Sequence, residues 1–276
     1  MAGESSLTRV ALIVGAMALL SLLILLPLAE MLAEAFAKGV PAYFAALADD
    51  DTVSSIRLTI EIAAIAVPLN TLFGMAAAWC IAKFEFRGKQ FLTSIIDLPT
   101  SVSPVIAGMI FVLLFGAQGW LGPFLRHHDI KVVFALPALV LVTIFVTIPF
   151  VARQLIPLMQ QQGRDEEEAA LTLGAGGLRT FWHVTLPRVR WALLYGVLLC
   201  NARAMGEFGG VAVVSGHIRG ATVTMPLQVQ ILYDDYNGVG AFALASLLAM
   251  LAIVALVARR LMEWRHRDEL RAIRAV

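Results

Sequence analysis

Six apolar runs dominate this 276-residue chain, at about residues 10–36, 58–82, 95–116, 135–157, 191–214 and 239–261. Each is near the roughly 20 residues that carry a helix across the hydrocarbon core of a bilayer. Lipid offers no water to the peptide groups, so a spanning segment must satisfy its own backbone, as a helix does. The expected fold is all-α: a polytopic membrane protein with six transmembrane helices. A composition that is 59% hydrophobic, with a mean hydropathy of +0.81, excludes a soluble domain. The first run exceeds the roughly 7–15-residue apolar core of a cleaved signal peptide, so it is expected to remain as a span. No linker or strong internal repeat divides the sequence, and residues 1–276 read as a single membrane domain.

Six spans put both ends on one side of the membrane. With the N-terminus inside, the segments on that side hold 15 of the 21 Lys and Arg residues, including Lys83, Arg87, Arg164 and the basic tail to Arg274. The outer loops hold Lys38, Arg57, Arg126, Lys131 and Arg219, and Arg203 falls within a span. Positive charge gathers in cytoplasmic loops, so both termini and the loop after the fourth span are expected in the cytoplasm.

That loop is polar between two apolar runs. Asp165, Glu166, Glu167 and Glu168 lead into Ala169, Ala170 and Leu171. Acids in a first turn complement the positive end of a helix dipole, and Asp165 is expected to cap it. Gly174 permits a bend or a close approach of another backbone. Arg179, His183, Arg188 and Arg190 follow, with Pro187 at the start of the next run, giving a helix, a glycine turn and a second helical piece running into a span. The gapped pattern Glu168-Ala169-Ala170, Gly174, then Val184-Thr185-Leu186-Pro187 resembles the EAA motif of permease subunits of bacterial ABC importers. In that family the motif forms a coupling helix, here near residues 165–180, that docks on a separate ATPase. By that resemblance Glu168, Ala169, Ala170 and Gly174 are the ATPase-coupling residues.

Two charges lie inside the fifth span, Arg203 and Glu207, four apart and so on one helix face. Buried charge in a membrane faces the bundle interior or a cavity. The pair reads either as part of the translocation pathway or as an ion pair locking spans together. Gly206, Gly209 and Gly210 beside it suit close helix packing. In the third run, Pro99 and Pro104 should open the backbone ladder locally. Ser101 and Ser103 either repair that ladder or offer hydrogen bonds to a passing anion. The loop at residues 214–226, with Ser215, His217 and Arg219, reads as a solvated outer loop or a contact for an anion or a binding protein.

Further segments carry a closer resemblance: Asp97-Leu98-Pro99 with Ser103-Pro104-Val105, and residues 145–159, 201–220, 226–237 and 241–249. Together they resemble the CysW-type permeases of bacterial sulfate/thiosulfate importers, over nearly the whole chain. The resemblance implies a type I ABC importer permease fold with its core at about residues 56–262. It also implies a bacterial inner-membrane location, a heterodimer with a second related permease, two ATPase subunits and a periplasmic sulfate/thiosulfate-binding protein. ATP and Mg would be bound by the ATPase. This chain would be a non-catalytic subunit with no cofactor, metal or nucleic acid of its own. No Walker A pattern occurs in it, and Cys80 and Cys200 fall within apolar runs as small core residues. Molybdate or tungstate remains an alternative cargo. An ion-coupled secondary transporter using Arg203 and Glu207 at the midplane is the rival from another class, but it leaves the Glu168–Gly174 pattern unexplained.

Overall fold

The computed structural model describes residues 6–265, and every regular element among them is helical. In order these are α1 (Ser6–Ala35), α2 (Val40–Leu47), α3 (Asp50–Lys83), α4 (Lys89–Ser101), α5 (Pro104–Phe115), α6 (Gly122–His127), α7 (Leu136–Thr147) and α8 (Pro149–Gln161). There follow α9 (Asp165–Thr172), α10 (Gly177–Thr180), a π-helical turn (Phe181–Thr185), α11 (Leu186–Met205), α12 (Gly209–Ser215), α13 (Met225–Asp234) and α14 (Gly238–Arg265). The basic tail residues Arg267, Arg271 and Arg274, counted above in the orientation, lie outside the described residues.

Among the described residues, four helical stretches are long and apolar enough to cross a membrane: Val10–Ala35, Asp50–Lys83, Leu136–Gln161 and Gly238–Ala258. The expected third and fifth spans are not straight rods. α4 and α5 meet at a 108° bend, and the helix through α11 bends 49° into α12. The first break has a steric origin. Val102 and Ser103 are extended ahead of Pro104, because a proline drives its predecessor out of the helical region. The proline then supplies the first turn of α5, where its missing N–H costs nothing. α5 is only about 18 Å long, short of the roughly 30 Å core.

The stretch at residues 38–57, whose acids Asp49, Asp50 and Asp51 between the first two apolar runs predict a polar outer loop, is mostly helical instead. It folds into α2 and the first turns of α3, because Asp49 accepts the Thr52 N–H at 3.3 Å while Asp50 and Asp51 occupy the first turn. α3 therefore runs for 34 residues, about 51 Å.

α8 sits between α3 and α11, and Val151, Leu155 and Met159 are fully buried there with Ala63, Ala78, Val189 and Ala192. A second cluster, around Leu139, Val142, Val211 and Val214, joins α7 to α12. At the α7–α8 joint before Pro149, the Asn70 side chain donates to the Ile144 carbonyl at 3.1 Å and to Thr147 Oγ1 at 2.7 Å. Asn70 thus ties α3 to the point where the proline weakens the ladder. α1 packs mainly on α14, and its apolar residues from Val10 to Leu26 stay exposed. Such a surface is stable only against lipid or protein.

Candidate functional site

The polar loop folds as its spacing dictates. α9 begins with four acids in its first turn; Arg164 holds the cap position without a side-chain bond, so Asp165 is the first helical residue and not the expected cap. The helix stops at a left-handed glycine. Gly174 has φ +87°, its N–H donates to the Leu171 carbonyl and the Ala175 N–H to the Ala170 carbonyl, both at 3.0 Å. This is a Schellman stop, which explains why a glycine stands four residues after Ala170. A Cβ at Gly174 would meet no atom within 4 Å, so the dihedral angle is the requirement and no backbone approaches. The chain then re-enters a helix at Gly177. A π-helical turn absorbs Pro187: the Leu186 N–H reaches back five residues to the Phe181 carbonyl.

α9 is held on one side only. Lys83, the last residue of α3 and 7% exposed, places Nζ 3.0 Å from Glu167 Oε2 and donates to the Gly163 carbonyl. Thr185 Oγ1 donates to the other Glu167 oxygen at 2.7 Å. Arg188 pairs with Glu166 at 2.8 Å nearer the surface, and Trp79 packs against Phe181 with tilted rings whose centroids are 5.4 Å apart. Nearby, in the loop between α3 and α4, the Glu85 carboxyl lies below its ordinary value through the hydrogen bond and charge of Lys89, with Arg164 adding to it. The opposite side of the loop is free. Glu168 and Ala169 are exposed and Ala170 is half-buried; among the described residues Glu168 has no ion pair. Around them Leu171, Leu173, Leu178 and Trp182 are exposed, Leu173 to 88%.

The two broken helices face each other. Pro104 and Val105, at the start of α5, pack on Gly209 of α12, and the Gly108 Cα lies beside the Gly210 carbonyl. Glu207 sits in the α11–α12 break, 2% exposed. Its Oε1 accepts the Gly210 N–H at 3.0 Å, capping α12, while Oε2 lies 2.7 Å from Arg203 Nη1. The second contact is an ion pair without the alignment of a hydrogen bond. Arg203 keeps a third of its side chain exposed, so the pair is closed on the carboxylate side and open on the guanidinium side. Ser103 stands at the facing α4–α5 break, whereas Ser101 lines a separate groove of about 970 Å³ with Thr93, Ser94, Asp97 and Gln160. Neither serine repairs the ladder. Thr100 Oγ1 donates to the Asp97 carbonyl at 2.7 Å, and Arg153 joins α8 to α4 through the Asp97 carboxylate at 2.6 Å.

In the loop at residues 214–226, Ser215 is fully buried and donates to the Thr222 carbonyl at 2.7 Å. Arg219 bridges Asp235 at 2.7 Å and Asp51 at 3.6 Å, and these partners raise its pKa. Ser215 is therefore a buried fold contact, while residues 216–221, with His217 and Arg219, are exposed as a solvated loop is.

Against known proteins, residues 70–268 match the model of a family described as binding-protein-dependent transport system inner membrane component. The chain belongs to this family. The permease is 49% identical over 247 residues to the sulfate transport system permease protein CysW of Escherichia coli K12, covering 90% of this chain and 85% of that one. It is 32% identical over 235 residues to the sulfate transport system permease protein CysT of Salmonella typhimurium, covering 85% of each. Its fold matches that of a bacterial alginate ABC transporter crystallised with an alginate pentasaccharide-bound periplasmic protein. The TM-score is 0.73 at 15% identity, over 95% of this chain and 94% of that one. The sequence pattern marked Thr185 as a motif position and Glu167 as a first-turn acid, but not that these two, with Lys83, bond one another and hold the segment in place. Their partners lie 18 to 84 residues away, beyond the reach of any local motif.

Proposed function

We propose that this permease is the membrane subunit of an ATP-driven importer that moves sulfate, and thiosulfate with it, into the cytoplasm across a bacterial inner membrane. The observation that carries the reading is the α9 loop: anchored to the membrane helices through its acids, and presenting Glu168 beside an exposed apolar patch. A soluble partner can bind such a patch, and whatever moves α9 also moves α3 and α11. The identity to CysW supports sulfate as the cargo.

In this reading both bent pairs count as single spans, giving six with both ends in the cytoplasm, and the whole chain is one domain. Glu168, Ala169, Ala170 and Gly174 form the docking segment for one of two ATPase subunits, which bind the ATP and Mg. A second, related permease completes the pathway; similarity to both CysW and CysT supports a pair of such chains. A periplasmic binding protein delivers the anion. This subunit makes and breaks no covalent bonds. ATP binding draws the docked loops together, the bundle shifts between two packed arrangements, and the pathway opens to the outside; hydrolysis resets it. Ser103, Arg203 and Glu207 at the paired breaks, with Ser101 in the adjoining groove, line this chain's share of the route. Because Glu207 neutralises Arg203, the route holds the dianion weakly enough to release it.

Uptake of radiolabelled sulfate at low micromolar concentration, in cells with and without the gene, tests the cargo. Loss of uptake on deletion, with competition by thiosulfate and none by molybdate, is expected; unchanged uptake overturns the sulfate assignment. Glu168→Lys and Gly174→Pro are expected to leave the chain in the membrane but without its ATPase. Normal copurification of the ATPase with both would overturn the docking assignment.

A further inference from the structure

We propose that Glu167, one residue before the motif glutamate, is the positioning residue that transmits ATPase movement into the membrane helices, with Lys83 and Thr185 as its two points of attachment. The inference rests on the docking reading above and assigns a different task to a different face of α9. Consecutive helical residues are about 100° apart around the axis, so Glu167 and Glu168 cannot serve the same surface. Glu168 faces outward without an ion pair among the described residues, whereas Glu167 turns inward and has both oxygens engaged.

The attachments belong to two different spans. Lys83 ends α3, the 34-residue helix that packs on α8 through its lower turns. Its ammonium is nearly buried and holds two points at once, the Glu167 carboxylate and the Gly163 carbonyl, the latter in the left-handed turn that starts the loop. Thr185, 3% exposed, closes the π-helical turn that continues into α11. A single carboxylate therefore joins the docking helix to the ends of α3 and α11, which flank α8 in the core. The pairing is shielded from solvent, so its geometry is stiffer than that of the exposed Arg188–Glu166 pair beside it. Without Glu167, the joints that remain between α9 and the bundle among the described residues are its two loops, its packing on the π-helical turn, and the surface pairs Arg188–Glu166 and Arg164–Glu85. A docked ATPase could then rock α9 without carrying α3 and α11.

The test uses the complete complex of both permeases, the ATPase and the binding protein in proteoliposomes. It reads three quantities: ATPase retained on purification, ATP hydrolysed, and sulfate moved per ATP. For Glu167→Gln and for the neutral pair Lys83→Met with Glu167→Gln, ATPase retention and basal hydrolysis are expected to match the native complex. Sulfate moved per ATP is expected to fall at least tenfold. Thr185→Val, which keeps the ion pair and the side-chain volume, is expected to give a smaller fall of about threefold, which covers the case in which the other variants fail to assemble. A native number of sulfates per ATP in Glu167→Gln, or in Thr185→Val should the Glu167 variants fail to assemble, overturns the proposal. Loss of ATPase retention in Glu167→Gln to the level of Glu168→Lys also overturns it, by assigning Glu167 to the docking face. A native complex that retains no ATPase defeats the docking reading itself.

Discussion

Gly210→Ala tests the claim that the two broken helices interlock. A Cβ built on Gly210 would lie 2.3 Å from Val142 Cγ1, 3.0 Å from the Pro104 carbonyl oxygen and 3.4 Å from Glu207 Oε1. Val142 is fully buried and β-branched, so its methyl has little rotameric freedom to withdraw. Overpacking of this kind costs about 1–3 kcal/mol, and alanine's better helix propensity offsets up to about 1 kcal/mol. The net destabilisation is expected to be about 1–2 kcal/mol. For a chain of this size that corresponds to a melting temperature lowered by roughly 2–8 °C, measured on the detergent-purified protein. Gly206→Ala is the control: its Cβ would meet only the Ala202 carbonyl oxygen, at 3.5 Å. Val142→Ala removes the nearest obstacle, so the double variant should be less destabilised than the sum of the singles, by about 1 kcal/mol. Equal melting of Gly210→Ala and Gly206→Ala would refute the close approach of α5, α7 and α12. Strict additivity with Val142→Ala would refute the contact that carries it.

Arg203→Met strands the Glu207 carboxylate in its buried pocket and is expected to cost about 3 kcal/mol of stability, with recovery of most of it in the double variant Arg203→Met, Glu207→Gln; thermal unfolding of the three proteins checks this. Asn70→Leu removes the two bonds that brace the α7–α8 joint and should lower stability by about 1–2 kcal/mol in the same assay. The Glu85 carboxyl is held below its ordinary pKa in the folded chain, chiefly by Lys89. Its contribution is therefore present at neutral pH and is lost as the pH falls through that lowered value. The small melting difference between Glu85→Gln and the native chain should accordingly begin to shrink in the ordinary carboxylate range, disappear only at pH values below it, and be weakened by high salt.

The helical content and the membrane setting were legible because hydrophobic run length is a one-dimensional property. The α9 segment was legible for a related reason. Acids in a first turn, Ala169 and Ala170, and a Gly174 that must adopt φ +87° are all local requirements, each written within ten residues. The bends were half legible. Pro99 and Pro104 announced a weakened ladder, but the 108° angle depends on α5 finding a partner in α12, which is some hundred residues further along. The break at Gly206–Phe208 lies among glycines that read from the sequence as packing residues, not as a bend. Likewise the first turns of α3 were assigned to a loop because they are polar, although Asp49 caps them.

Sequence alone determined that this chain is a helical membrane protein with a polar helix–glycine–helix loop, because period, run length and turn chemistry act between near neighbours. Only the tertiary structure decided which acid of that loop faces outward and which is held by Lys83 and Thr185. It likewise decided that Glu207, whose pairing with Arg203 the four-residue spacing already suggested, is buried at the α11–α12 break and accepts the Gly210 N–H, and that Ser101 and Ser103 stand on opposite sides of a bend. Those outcomes depend on which distant helices pack side by side, and packing is a property of the assembled bundle that no single stretch of chain carries.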